Sequence, residues 1–75
     1  MKNEFVVNEN GLEVRYEIVK LSKYNGNNYI IYKDNDNYYA SRYDIIDNKI
    51  QLDEIIGDDE WDFIDKELMI LDELR

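Results

Sequence analysis

Turn-forming residues recur along this chain at intervals that leave room only for short strands. Asn10-Gly11 and Asn25-Gly26 supply the positive-φ pairs that a two-residue hairpin turn requires. Asp34-Asn35-Asp36-Asn37 marks a third turn, with side chains that tolerate left-handed backbone and bond their own main chain. Asp44 to Asn48 marks a fourth. Between these signals run Phe5-Val6-Val7, Leu12 to Leu21, Tyr29-Ile30-Ile31-Tyr32, Tyr38 to Tyr43 and Lys49-Ile50-Gln51-Leu52. Short apolar runs punctuated in this way predict an antiparallel meander of about five strands.

The second run carries a phase change. Leu12, Val14, Tyr16 and Ile18 alternate with Glu13, Arg15 and Glu17, which gives one wet and one buried face. After Ile18 the apolar positions become Val19 and Leu21, while Lys20, Ser22 and Lys23 are polar. A one-residue slip exchanges the faces of a strand. The reading is a β-bulge or strong bend near residues 18–20; the alternative is a strand buried on both sides there.

Gly57 ends the meander. Asp58 or Asp59 is expected to cap a helix by accepting a bond from a free amide, with Glu60 and Asp62 in the first turn, where the helix dipole favours negative charge. Trp61, Ile64, Leu68 and Leu71 follow at spacings of a single helical face. Phe63, Ile70 and Leu74 form a second stripe. That stripe either sinks into the core within a wide apolar arc or meets a partner. The expected fold is α+β: one domain over 1–75, a β-meander over 1–56 and an acidic C-terminal helix over 57–75 packed on one face, its acids turned outward. Trp61 is expected buried against the sheet, near Val14, Tyr16 or Ile18, so that Trp61→Ala costs about 3–5 kcal/mol.

Charge divides the chain at the same place. From Asp53 to Arg75 there are ten acids and two bases, a local charge of −8 within a total of −9. Such a surface repels phosphate backbones, and the bases are scattered rather than set in a stripe, so direct nucleic-acid binding is not expected. A basic partner protein is favoured electrostatically. The chain has no Cys and no His, so disulfides and thiolate or imidazole zinc sites are absent by composition. The apolar fraction of 44% argues against disorder. No run approaches the roughly 18 apolar residues of a membrane span, and Met1-Lys2-Asn3-Glu4-Phe5 lacks the apolar stretch of a secretion signal. A cytoplasmic location is the expectation.

Four stretches together resemble a known family: Gly11-Leu12-Glu13-Val14, Tyr24-Asn25-Gly26-Asn27-Asn28-Tyr29, Ser41-Arg42-Tyr43 and Asp58-Asp59-Glu60-Trp61. Their order and spacing, over roughly residues 4–68, are similar to those of the YrzB-like family of small acidic bacterial proteins, common in Gram-positive species. The Asn-rich turns and the apolar tail Met69 to Leu74 depart from that pattern. The resemblance implies a fold of the kind just derived. It implies no activity and assigns no catalytic residue.

The chemistry-bearing residues point away from catalysis. Without His or Cys, the commonest general base and the best thiol nucleophile are missing. Ser22 and Ser41 have no recognisable activating partner. The carboxylates fall in turns and at a helix start, where water keeps them ionised. Asp34 to Asn37 imitates the opening of a calcium loop, but the sixth position is Tyr39 rather than glycine and the twelfth is Ile45 rather than glutamate. No metal, cofactor or catalytic residue is therefore assigned, and the chain is not expected to be an enzyme. Five tyrosines between 29 and 43 read as cross-strand aromatic pairs rather than as a base-stacking platform, which needs a cationic groove.

The expected function is a non-enzymatic acidic module that binds another protein with a basic surface; a homodimer is compatible with it. The candidate surface is Asp58, Asp59, Asp62, Phe63, Lys66, Ile70 and Leu74. The alternative is an inhibitor that mimics nucleic acid, presenting Asp58, Asp59, Asp62, Asp65, Asp72 and Glu73 to a nucleic-acid-binding protein. A small enzyme is the third and weakest reading.

Overall fold

The computed structural model describes residues 3–35 and 37–73, without the side chains of residues 72 and 73. Five strands and one helix follow in order: β1 (Glu4–Glu9), β2 (Leu12–Tyr24), β3 (Asn27–Asp34), β4 (Asn37–Ile46), β5 (Lys49–Asp53) and α1 (Asp58–Glu73). The strands form one antiparallel sheet in the order β1-β2-β3-β4-β5. This is the α+β meander with a terminal helix that the turn signals predict.

The turns explain the topology. Asn10 and Gly11 have φ of 52° and 83°, and Asn25 and Gly26 have φ of 52° and 81°. Both central residues are left-handed, as the hairpin turns that match strand twist require. The β4–β5 turn is tighter than its Asx-rich sequence implies. It consists of Asp47 and Asn48 alone, at φ 52° and 64°. Residues 44–46, expected in the turn, instead extend β4, with Asp44 opposite Gln51 and Ile45 opposite Ile50. Strand pairing satisfies their backbone groups, so the β-branched pair Ile45-Ile46 stays extended.

The phase change in β2 is a register shift between Ile18 and Lys20. Ile18 lies opposite Tyr32, and Lys20 lies opposite Ile31. Val14, Tyr16 and Ile18 therefore share the face of Tyr32, whereas Lys20, Ser22 and Tyr24 share the face of Tyr29 and Ile31. One extra residue makes the strand serve two layers.

Two cores result, one on each side of β3. Tyr29, Ile30, Ile31 and Tyr32 are all buried, because β3 is covered on both faces. On the Tyr32 face, Phe5, Tyr16, Ile30 and Tyr32 form a cluster against which Val7, Val14, Ile18, Tyr43, Ile50 and Leu52 pack. All five strands contribute, so the sheet curls until its first and last strands share a core. On the Tyr29 face, Tyr29 clusters with Ile55 and with Ile64 of α1, joined by Tyr24, Ala40, Phe63 and Leu68.

Trp61 departs from expectation. It is 43% exposed, and the fully buried helix residue is Ile64. Its expected neighbours Val14, Tyr16 and Ile18 belong to the Tyr32-side cluster, whereas α1 contributes Ile64, Phe63 and Leu68 to the other. The helical wheel gives the reason. With Ile64 at the centre of the buried face, Trp61 falls about 60° to one side and Leu71 about 20° to the other.

Candidate interaction surface

The start of α1 is tied to the sheet by an ion pair in which the carboxylate is buried and the guanidinium partly exposed. The Gly57 carbonyl accepts the Trp61 N–H at 3.1 Å, so Gly57 is the half-helical residue at the N-terminus. Neither Asp58 nor Asp59 holds the expected cap position; both fall inside the first turn. Asp59 instead accepts the Tyr24 hydroxyl at 3.2 Å.

Glu60 reverses the expectation that the helix acids all face water. It is 7% exposed. Arg42 Nε donates to its Oε2 at 2.8 Å, Arg42 Nη2 donates to its Oε1, and the Tyr29 hydroxyl donates to Oε2 at 2.9 Å. The fork of the guanidinium matches both carboxylate oxygens, the strong geometry for such a pair. Arg42 holds the Glu60 carboxyl down at about 2; the Tyr29 hydroxyl and the Gly57 N–H act in the same sense, while burial opposes them. Hydrogen bonding to Glu60 in turn holds Arg42 more firmly protonated. Burial, then the bond to Glu60, pushes the Tyr29 phenol up.

Glu67 makes a second inward contact. Lys20 donates to Glu67 Oε2, and Ser22 donates to Oε1 at 3.0 Å. The bulge in β2 is what brings Lys20 and Ser22 onto this face. Ser22, read from sequence as lacking a partner, is thus bound to a carboxylate whose other oxygen is held by lysine. Ser41 pairs with the Tyr32 hydroxyl at 3.2 Å. The wheel carries the signal for both glutamates: Glu60 and Glu67 lie about 40° and 60° from Ile64, between the buried centre and Phe63.

The candidate residues that the structure describes differ in exposure. Asp58, Asp59, Asp62 and Lys66 are exposed. Phe63 is half-buried and stacks on Tyr24, with centroids 4.9 Å apart at 16°. Ile70 is 48% exposed, and Leu74 lies outside the described residues. Phe63, the first member of the second stripe, packs against the Tyr29 core. A different apolar surface opens beside it. Trp61 and Leu68 of α1 and Tyr38, Tyr39 and Ala40 of β4 line a cleft of about 300 Å³ with Ile64 at its base. Asp65 is exposed one turn after Trp61. Sequence reasoning missed this cleft because Trp61 was assigned to the core.

The tyrosines largely bind one another. Tyr32 stacks on Tyr39 at 5.4 Å and meets Tyr16 edge-on at 4.8 Å, with Phe5 5.4 Å away. These are favourable aromatic geometries, and they leave the buried rings Tyr16 and Tyr32 no free face for a base. Tyr16 donates to Glu9 at 3.2 Å, and burial pushes its phenol up to about 12. Among the described residues no three acidic side chains converge on a point that could hold a metal ion, and no helix is long and apolar enough to cross a membrane. No family model, curated protein or solved structure matches the chain.

Proposed function

We propose that this chain is a non-enzymatic interaction module, with α1 laid across the Tyr29 face of the sheet and its outer side offered to a basic partner protein. The observation that carries this reading is the cleft lined by Trp61, Leu68 and Tyr38, with the exposed Asp62 and Asp65 close to Trp61 along the helix. It combines exposed aromatic area with exposed carboxylates. Glu60 and Glu67 are spent on Arg42 and Lys20 and Asp59 holds the Tyr24 hydroxyl, whereas Asp58, Asp62 and Asp65 are exposed. An apolar centre with a charged rim is the anatomy of a recognition site, and a half-exposed Trp is the side chain such sites most often use as an anchor. A cytoplasmic setting and membership of the YrzB-like group belong to the same reading.

The test is affinity capture with wild-type protein, Trp61→Ala and Asp62→Lys/Asp65→Lys at two salt concentrations. A specific partner should be retained by wild type at low salt, weakened at high salt as charges are screened, and lost from both variants. Equal recovery by all three would remove the helix surface from consideration. Displacement of the partner by DNA at low salt would favour nucleic-acid mimicry instead.

A further inference from the structure

The sheet is curled and has an odd number of strands. In a five-stranded antiparallel meander, β1 and β5 run in the same sense. If they met, they would pair parallel, against the antiparallel geometry of every other pair. Up-and-down barrels close with an even number of strands. Here the two edges come within 8 Å, Cα to Cα, yet share no backbone hydrogen bond among the described residues. Between them lies a cleft of about 910 Å³ floored by Phe5, Val7, Ile50 and Leu52. Each edge presents a row of backbone donors and acceptors that the sheet itself does not use.

We infer that this cleft accepts an extended segment of another polypeptide as a sixth, antiparallel strand. Such a strand pairs with β1 and β5 at once. Neighbouring strands lie about 4.8 Å apart, so seating it requires the edges to stand about 10 Å apart, wider than their closest approach of under 8 Å, and the inferred binding therefore opens the curl. The pleat dictates its pattern. Alternate residues face inward over Phe5 and Ile50 and must be apolar, and the others face out.

Charge sets the rest. Glu4, Glu13 and Asp47 line the cleft against one base, Lys49. A second copy of this chain is a poor occupant. Antiparallel self-pairing of β1 about its centre sets Glu4 opposite Glu9, and like charges directly opposite are destabilising, on top of a net charge of −9 for each copy. The fitting occupant is an extended peptide with alternate β-branched residues and lysine or arginine between them. This surface is separate from the Trp61 cleft, so the two readings fail independently.

The probe is a blocked heptapeptide, Lys-Val-Lys-Val-Lys-Val-Thr, titrated into the full chain and followed by amide chemical shifts and hydrogen exchange. Binding should shift β1 and β5 resonances and slow exchange of edge amides in both strands at least tenfold. An N-methylated version of the peptide, which cannot donate to the edges, should bind at least tenfold more weakly. Glu13→Lys, at an exposed position, should also weaken binding while Trp61→Ala leaves it unchanged. No shift at millimolar peptide overturns the inference. So do equal binding by the N-methylated peptide, shifts confined to α1, or concentration-dependent self-association through β1.

Discussion

Arg42 Nε lies 2.8 Å from Glu60 Oε2, which ties the middle of β4 to the first turn of the helix. The two residues are 18 apart in sequence, and no periodicity links them. Their pairing places a buried carboxylate where the helix dipole also favours negative charge. Losing Arg42 would leave the Glu60 carboxylate buried and uncompensated, and losing Glu60 would strip Arg42, whose side chain is partly exposed, of its fork partner.

Glu60→Gln should therefore lower the melting temperature at pH 7 by more than Asp62→Asn, which removes an exposed carboxylate. The pH dependence follows from the depressed Glu60 value. Glu60 titrates near 4.5 when unfolded and at about 2 when folded. The unfolded state thus binds more protons between these values, so the Glu60 contribution is complete above about pH 5 and disappears as pH falls toward about 2. Urea unfolding from pH 7 to pH 2 should show the gap between wild type and Glu60→Gln shrinking across that window. A gap independent of pH would mean that Glu60 is not held ionised by Arg42.

Core substitutions rank the helix residues. Ile64 is fully buried, and Ile64→Ala should cost about 2–5 kcal/mol, as for other buried Ile→Ala changes. Trp61→Ala should cost less, about 1–2 kcal/mol, because nearly half of the side chain is already in water and truncating a fully buried Trp costs about 3–5. Chemical denaturation of both variants checks the order. Trp61 fluorescence in wild type should also be red-shifted and readily quenched by neutral acrylamide.

Alkaline titration reports the sheet side. A phenol raised when folded stabilises the protein below its ordinary value and ceases to do so as pH rises through the folded one. For Tyr16 the window runs from 10 to about 12. Tyr24, Tyr29 and Tyr39 are raised in the same direction. Absorbance at 295 nm should show delayed ionisation, and Tyr16→Phe should remove the part nearest pH 12.

Turn geometry makes different predictions at two positions. Gly26 has φ of 81°, so Gly26→Ala should cost about 1–2 kcal/mol, the left-handed penalty for a residue with a Cβ. Asn48 already occupies φ 64°. Asn48→Gly creates the favoured Asp-Gly turn, a gain set against the entropy that glycine adds to the unfolded chain, and should change stability by less than about 0.5 kcal/mol. Thermal melts should show a clear loss for Gly26→Ala and little change for Asn48→Gly.

The meander was legible because its signals are local. Asn10-Gly11 and Asn25-Gly26 specify turn geometry within two residues, and the slip after Ile18 announces the bulge within four. The helix orientation was not legible in the same way. Trp61, Ile64, Leu68 and Leu71 do share a stripe, but size misleads: the largest apolar residue, Trp61, is expected buried, whereas it is half-exposed and the fully buried residue is Ile64. Glu60 and Glu67 were read with the exposed acids because their partners, Arg42 and Lys20, lie on distant strands. Only the wheel, with two glutamates between the stripes, hinted that bases had to await them. The Trp61 cleft depends on which residue sits at the centre of the buried face, so it too was invisible.

The doubled residue in β2 makes one spot in the strand tolerant of a length change that would be ruinous elsewhere along it. Removing Val19 would leave Ile18 opposite Tyr32 and Lys20 opposite Ile31, so Lys20 and Ser22 would keep their side and Glu67 both companions. What disappears is the local bend that the extra residue puts into the strand. A deletion within the regular stretches of β2 would instead exchange every face beyond it, so homologous chains that keep this architecture should vary by one residue here more readily than at its neighbours.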